Sequence, residues 1–588
     1  MNRQSVITWK PANLEETNVA RRLIYIVLSL LVLSSLVLAA CAPAATEAPP
    51  AEPAATEVPP EPPTEEPMEP FDALPALTSD CSNGTLLKDI SALDAYTVQF
   101  TMCVPDPLFL MKMAFSPFAI YSQDWLESTT EPGARLDNPI GTGPYMVSDW
   151  VRGESLTFVR NPNYTGDLEV FADTLVYRWS AESAARLLEL QAGTIDGMDN
   201  VAPTDFEVVQ GDPNLQLTLR DPMNVFYLGL NNNFPPFDDV RVRQAIAMGI
   251  DRERIVENYY PAGSEVASHF TPCFIPNGCT GDAWYEFDPE AARALLADAG
   301  YPDGFETTIT FRNVVRGYLP EAPRVVEEIQ AQLSDNLGIT AEIVEMESGA
   351  YLAAATAGEV GGLQILGWGA DYPHITNFLN YHFTGTQLQF GDAYPEIYEV
   401  LTQAAQIADA AEAEPLYTQA NNAIRELVPM VPIAHGVSAT AYLADVVNPQ
   451  ASPLTTEMFA ATDPGGRDTF VFMQNGEPIS LFCPDETDGE TLRACEQVQE
   501  ALYGFEINGT AWHPVLAEEC APNDDLTVWT CTLRQDVQFS DGSAFDANDV
   551  VATFSANADV DSPLHVGNTG TFEYWYTLWG NLINAPSP

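Results

Sequence analysis

The run Gly367-Trp368-Gly369-Ala370-Asp371-Tyr372-Pro373 follows the apolar stretch Leu363–Leu366. An apolar strand that ends in glycines puts Asp371 at the strand's C-terminal end, the edge where α/β sheets take their ligands. A carboxylate stripped of water there needs a cation beside it; the plainer reading is an aspartate that caps its own loop. Trp368 either faces a ligand or packs in the core, and Tyr372 adjoins the same carboxylate. The six histidines, His269, His374, His382, His435, His513 and His565, form no cluster at metal-ligand spacing. No Gly-rich phosphate loop, GxSxG turn or metalloprotease pair occurs in the chain. The residues therefore point to no catalytic group, no metal and no cofactor, and a secreted hydrolase is the lesser alternative.

The thiols set the compartment. Eight of the nine cysteines stand as neighbours: Cys81 and Cys103, Cys273 and Cys279, Cys483 and Cys495, Cys520 and Cys531. The last pair flanks a hairpin-like segment, and none has zinc-finger spacing. Four local disulfides in an oxidising, extracytoplasmic site are expected, with buried free thiols as the alternative. The ninth, Cys41, ends Leu38-Ala39-Ala40-Cys41 after Arg21-Arg22 and an apolar run from Leu23 to Leu38. That is a signal-peptide pattern, and the cysteine after Leu-Ala-Ala matches the lipobox of bacterial lipoproteins. A membrane-spanning anchor is the alternative, but about 16 apolar residues is short for a span. Residues 42–69 are a Pro/Ala/Glu tether with nothing to bury.

Charge excludes one class of partner. The chain carries 83 acidic against 24 basic residues, a formal net charge of −59, and its lysines are Lys10, Lys88 and Lys112. Such a field repels nucleic acid. Beyond the stalk roughly 520 residues remain, too many for one core. Helix and strand patterns alternate through them. Asp239 and Asp251 offer caps for helices through Ile246 and Ile255, and Asp288-Pro289 starts an Ala/Leu helix. Pro323 opens an amphipathic helix that ends near Gly338, followed by strand-like Ile339–Val344, a helix around Tyr351–Ala357 and the apolar run before Asp371. This alternation predicts an α/β fold.

The residue strings are more specific than the patterns. Asn231–Tyr260, with Tyr227–Asn231 before it, closely resembles the cluster-5 extracellular solute-binding proteins, the peptide- and nickel-binding subunits of ABC importers. Asn138–Tyr145, Arg160–Tyr164 and Leu190–Asp196 resemble further phrases of that family. The resemblance implies a two-lobed, type II periplasmic-binding-protein-like fold with a hinge and an extra small subdomain. It implies a receptor that takes a peptide and serves an ABC permease with its ATPase subunits. In peptide-binding relatives the aspartate matched by Asp371 pairs with the ligand's ammonium, and Glu477-Pro478-Ile479 match a turn near the cleft. Phe482-Cys483 departs from that turn's usual Asp-Pro. A nickel chelate or an oligosaccharide stands as the alternative ligand.

The order of the segments departs from the family. Residues 469–551 resemble its amino-terminal signature yet stand last, while Asp94–Phe100 resembles the strand that normally follows them. Each segment occurs once, so a circular permutation accounts for the order better than a duplication; a misassembled reading of the gene is the rival. The expected organisation is a signal peptide over 1–40, a lipidated Cys41 and stalk over 41–70, part of a first lobe over 71–222, a second lobe over 223–435, and the rest of the first lobe over 436–588. If Cys41 is lipidated, labelled palmitate marks the wild-type protein and not Cys41→Ser; label retained in the variant refutes the anchor.

Overall fold

Alternating inward residues build the first sheet. In strand Thr97–Met102 the side chains of Val98, Phe100 and Met102 are buried, and in Val528–Leu533 those of Trp529, Cys531 and Leu533. The two strands pair antiparallel with Trp529 opposite Phe100 and Cys531 opposite Val98. In this computed structural model, which describes residues 71–131, 133–384 and 387–586, they are the middle of a five-stranded sheet. The leader, Cys41 and the stalk lie outside the described residues.

A seven-stranded sheet follows the same plan. Its strand Thr469–Gln474 lies parallel between Thr174–Trp179 and Gly197–Met198. The end of the chain therefore supplies interior strands to two sheets whose other strands come largely from residues 77–220. The third sheet has six strands, all between Asn224 and His435. Its central strands Asn224–Leu230 and Met430–His435 are buried at every position, as in a sheet covered on both faces.

Local signals explain the helices around that third sheet. The side chains of Asp239, Asp251 and Asp288 each accept a backbone N–H in the first turn of helices Val240–Gly249, Arg252–Tyr259 and Pro289–Asp298. Helix Ala322–Leu337 carries proline in its first turn and ends at Gly338, whose φ of 68° suits a residue without Cβ. The strand expected at Ile339–Val344 runs Thr340–Glu345, and the helix expected at Tyr351–Ala357 runs Ser348–Thr356 because Glu347 caps it three residues early. All four cysteine pairs form disulfides. Among the described residues no helix is long and apolar enough to cross a membrane.

The chain passes between the second and third sheets twice, through Asp221–Met223 and through Gly436–Val437. The Asn224 amide clasps the second passage: its Nδ2 donates to Gly436 O at 2.8 Å and its Oδ1 accepts from Gly436 N at 2.8 Å. Below this crossing lies a buried ion network. Arg220 Nη2 donates to Asp199 at 3.1 Å and to Glu457 at 2.6 Å, while Arg493 donates to Glu457 at 2.6 Å and to Asp199 at 2.9 Å. Burial pushes the Asp199 carboxyl up, but Arg493 and then Arg220 outweigh it and hold it well below the usual range. Removing Arg493 leaves two desolvated carboxylates to share the single charge of Arg220. Arg493→Met should therefore cost about 3–5 kcal/mol in urea unfolding, whereas Arg241→Met at the exposed Asp239 pair should cost no more than about 1 kcal/mol.

Candidate ligand-binding cleft

Strand Leu363–Gly369 pairs along its whole length with Asn224–Leu230, which anchors the turn that follows it. Gly367 is required there: a Cβ would sit 2.2 Å from the Tyr318 ring that packs over the strand. Past the strand, one side chain organises the turn. Asn377 Oδ1 accepts from Trp368 Nε1 and from Asp371 N, both at 3.0 Å, and its Nδ2 donates to Asp371 Oδ2 at 2.8 Å. The remaining oxygen, Asp371 Oδ1, accepts from Tyr574 OH at 3.0 Å. Tyr574 belongs to helix Glu573–Leu578, which packs in the core of the first two sheets, so this bond spans the cleft.

A second carboxylate stands next to that tyrosine. Glu573 accepts from Tyr381 OH and, at 3.1 Å, from Gln387 Nε2. The Tyr381 ring stacks on Trp368 with centroids 3.9 Å apart. Burial raises the Asp371 carboxyl to about 7 against the hydrogen bonds of Asn377 and Tyr574, and Glu573 adds to the rise. Burial raises Glu573 as well. No ion pair reaches either group among the described residues.

Asp371, Trp368, Glu573 and Tyr574 line a cavity of about 210 Å³ together with Arg312 and Arg316. Arg316 reaches across to Glu490 at 2.8 Å. Arg312 donates to Ser348 Oγ at 3.0 Å and to Tyr318 OH at 3.1 Å, with no carboxylate partner among the described residues. A larger cavity of about 500 Å³ lies nearby, with Thr456 in the wall of both, but its other walls come from residues 114–168 and 458–534. The smaller cavity has walls from both bodies, as a site that closes on its ligand requires.

The structure brings only part of the expected site together. Trp368 and Asp371 line the cavity. Tyr372 does not: it is buried in the core of the first two sheets and its hydroxyl meets Thr376 Oγ1 at 3.2 Å. The Glu477-Pro478-Ile479 turn also lies outside the cavity. Glu477 clamps a hairpin, accepting from Trp150 Nε1 and Gly153 N at 3.0 Å each; Pro478 O accepts from Arg152, and Ile479 is 52% exposed. The turn is drawn to this hairpin because Glu477 finds two N–H donors there. Glu573, Tyr574, Tyr381, Gln387 and Arg312 escaped the sequence reading. Arg312 alone had a signal, since it immediately follows strand Glu306–Phe311 at the same sheet edge as Asp371. His269, Cys273 and Cys279 gather their ligand atoms within 4.8 Å of one another, but the two sulfurs are bonded to each other and offer no thiolate.

Bacterial extracellular solute-binding proteins, family 5 Middle, is the description of the family model that matches residues 61–390 and 511–573, more than half of the sequence. The chain belongs to this family. It is 30% identical to heme-binding protein A of Haemophilus influenzae, over 65% of this chain and 71% of that one. Di/tripeptide-binding protein 1 of Pseudomonas aeruginosa is 30% identical over 59% of this chain and 65% of that protein. The solute-binding chain thus spans about two thirds of the length of these curated relatives. In fold it matches the dipeptide-binding protein of Pseudoalteromonas sp. SM9913 in complex with Met-Leu, with a TM-score of 0.58 and 27% identity, covering 62% of this chain and 73% of that one. The fold is that of the type II periplasmic binding proteins.

The raised Asp371 carboxyl sets a pH window for any ligand it holds through an α-ammonium. Below about 7 a proton must leave before the ion pair forms, and above about 8 the free ligand loses its own charge. The sign for stability is consistent. A carboxyl raised in the folded state stabilises the protein below its ordinary value of 3.8 and loses that contribution as pH rises through about 7, so an added cation stabilises most on the alkaline side. Calorimetry across pH should give a bell-shaped affinity that falls about tenfold per unit below 7. Asp371→Asn should flatten the acidic limb.

Proposed function

We propose that this chain is the receptor of an ABC importer, capturing peptides by closure of its two lobes and delivering them to a membrane permease and its ATPase subunits. The observation that carries this reading is Asp371: a desolvated carboxyl in a cavity walled by both lobes, holding two neutral donors and no cation. A peptide's amino terminus supplies the missing charge, and Tyr574 stands in part for it by donating one hydrogen bond across the cleft. Ligand contacts that bridge both walls favour the closed form over the open one, which is the condition for a ligand to drive closure. A nickel chelate or an oligosaccharide remains the other ligand class, and neither brings the α-ammonium that Asp371 would pair with. A hydrolase needs a nucleophile or a metal, and the cavity offers neither an activated hydroxyl nor a histidine–carboxylate pair.

Two further points belong to the same reading. Lipidation of Cys41 would hold the receptor at the outer face of the cytoplasmic membrane, on the Pro/Ala/Glu tether. A circular permutation, with the joint near Ser452–Asp468, would bring the family's amino-terminal signature to the end of the chain. The two separate blocks matched by the family support it, as does the interleaving of strands from both ends of the chain.

Calorimetry with a short-peptide library tests the central claim. Losing the partner of a desolvated ammonium costs about 2–5 kcal/mol, or roughly 30- to several-thousand-fold in affinity. Asp371→Asn should weaken binding by that amount, and N-acetylated peptides should bind the wild type as poorly. Equal binding of free and acetylated peptides would refute the peptide reading.

A further inference from the structure

Three carboxylates line the cavity, Asp371, Asp488 and Glu573. An amino terminus takes Asp371, Asp488 caps its own helix by accepting from Thr491 N at 3.0 Å, and Glu573 has no role in holding an amino terminus. The walls that Asp371 and Glu573 stand on are different. Asp371 ends a strand of the second lobe, while Glu573 begins the helix Glu573–Leu578 of the first. Closure therefore brings like charges towards each other, an unfavourable arrangement unless something positive lies between them. The protein supplies nothing positive there. The donors to the pair are Asn377, Tyr574, Tyr381 and Gln387, all neutral. The nearby cations are engaged elsewhere: Lys112 with Asp106, Arg316 with Glu490, and Arg220 with Asp199 and Glu457. Arg312 is held by two hydroxyls of its own lobe.

Neutral hydrogen bonds alone are a poor exchange for water around two carboxylates. A ligand with a single ammonium satisfies one of them. The aromatic wall between them suits an alkyl stem: Trp368 lies stacked on Tyr381, and the hydroxyl of Tyr381 bonds Glu573. A side chain that leaves the amino-terminal residue at Asp371 and runs along these rings ends at Glu573 with its charge.

Building on the peptide reading above, we infer that Glu573 is a specificity-determining residue, selecting ligands whose amino-terminal residue carries a second cationic group, as lysine, ornithine and arginine do. The class is a peptide with two positive charges at its amino end.

The test compares lysyl-alanine with norleucyl-alanine, which keeps the alkyl stem and lacks the second ammonium, by calorimetry at about pH 7.5. The wild type should bind lysyl-alanine about tenfold or more tighter. Glu573→Gln keeps an acceptor for Tyr381 and should bring the two affinities together. Asp371→Asn should weaken both while preserving their order. Equal binding of the two dipeptides by the wild type overturns the assignment without touching the peptide reading, and needs no variant to fold. A preference that survives Glu573→Gln overturns it too. Binding of neither dipeptide removes the peptide reading and this inference together.

Discussion

Arg493 and Arg220 share Asp199 and Glu457 in a site where none of the four side chains exceeds 3% exposure. Two cations against two anions leave no net charge, so the cost of removing four groups from water is offset only while all four are present. The members come from distant parts of the chain: Asp199 and Arg220 before the first crossing, Glu457 between strands Ser438–Leu443 and Thr469–Gln474, and Arg493 in helix Gly489–Glu496. They close only when those parts have met. Arg493 then sets the helix whose first turn carries Glu490, the partner of Arg316 across the cleft. The first-lobe wall of the cavity is thus placed by a network whose Arg220 itself lines the cavity.

The cleft inverts that logic. The network is charge-balanced and closed, whereas Asp371 and Glu573 are half-buried with neutral donors only. Desolvation with no cation beside them leaves both carboxyls raised. A site that were self-satisfied would gain nothing by binding, and one left open to water would lose its field to solvent. Tyr574 gives Asp371 a neutral partner, weaker than an ammonium would be.

Only two short passages join the second and third sheets, Asp221–Met223 and Gly436–Val437, and the Asn224 side chain ties the second to the strand that follows the first. The contacts across the cleft are Asp371 with Tyr574, Glu573 with Tyr381 and Arg316 with Glu490.

Much of this was legible in the residues, because the signals are local. Aspartates before apolar runs became caps, neighbouring cysteines became disulfides, and family phrases announced the class of fold. Asp371 could be placed at a strand's end because the apolar run before it is continuous. The tertiary structure decided what depends on meeting at a distance. Glu573 and Tyr574 stand about 200 residues from Asp371, and no periodicity or motif couples them; only packing of the last helix against the cleft does. Glu477 shows the converse. Its phrase pointed to the cleft, yet Trp150 and Gly153 offered it donors elsewhere, and a carboxylate goes where its hydrogen bonds are.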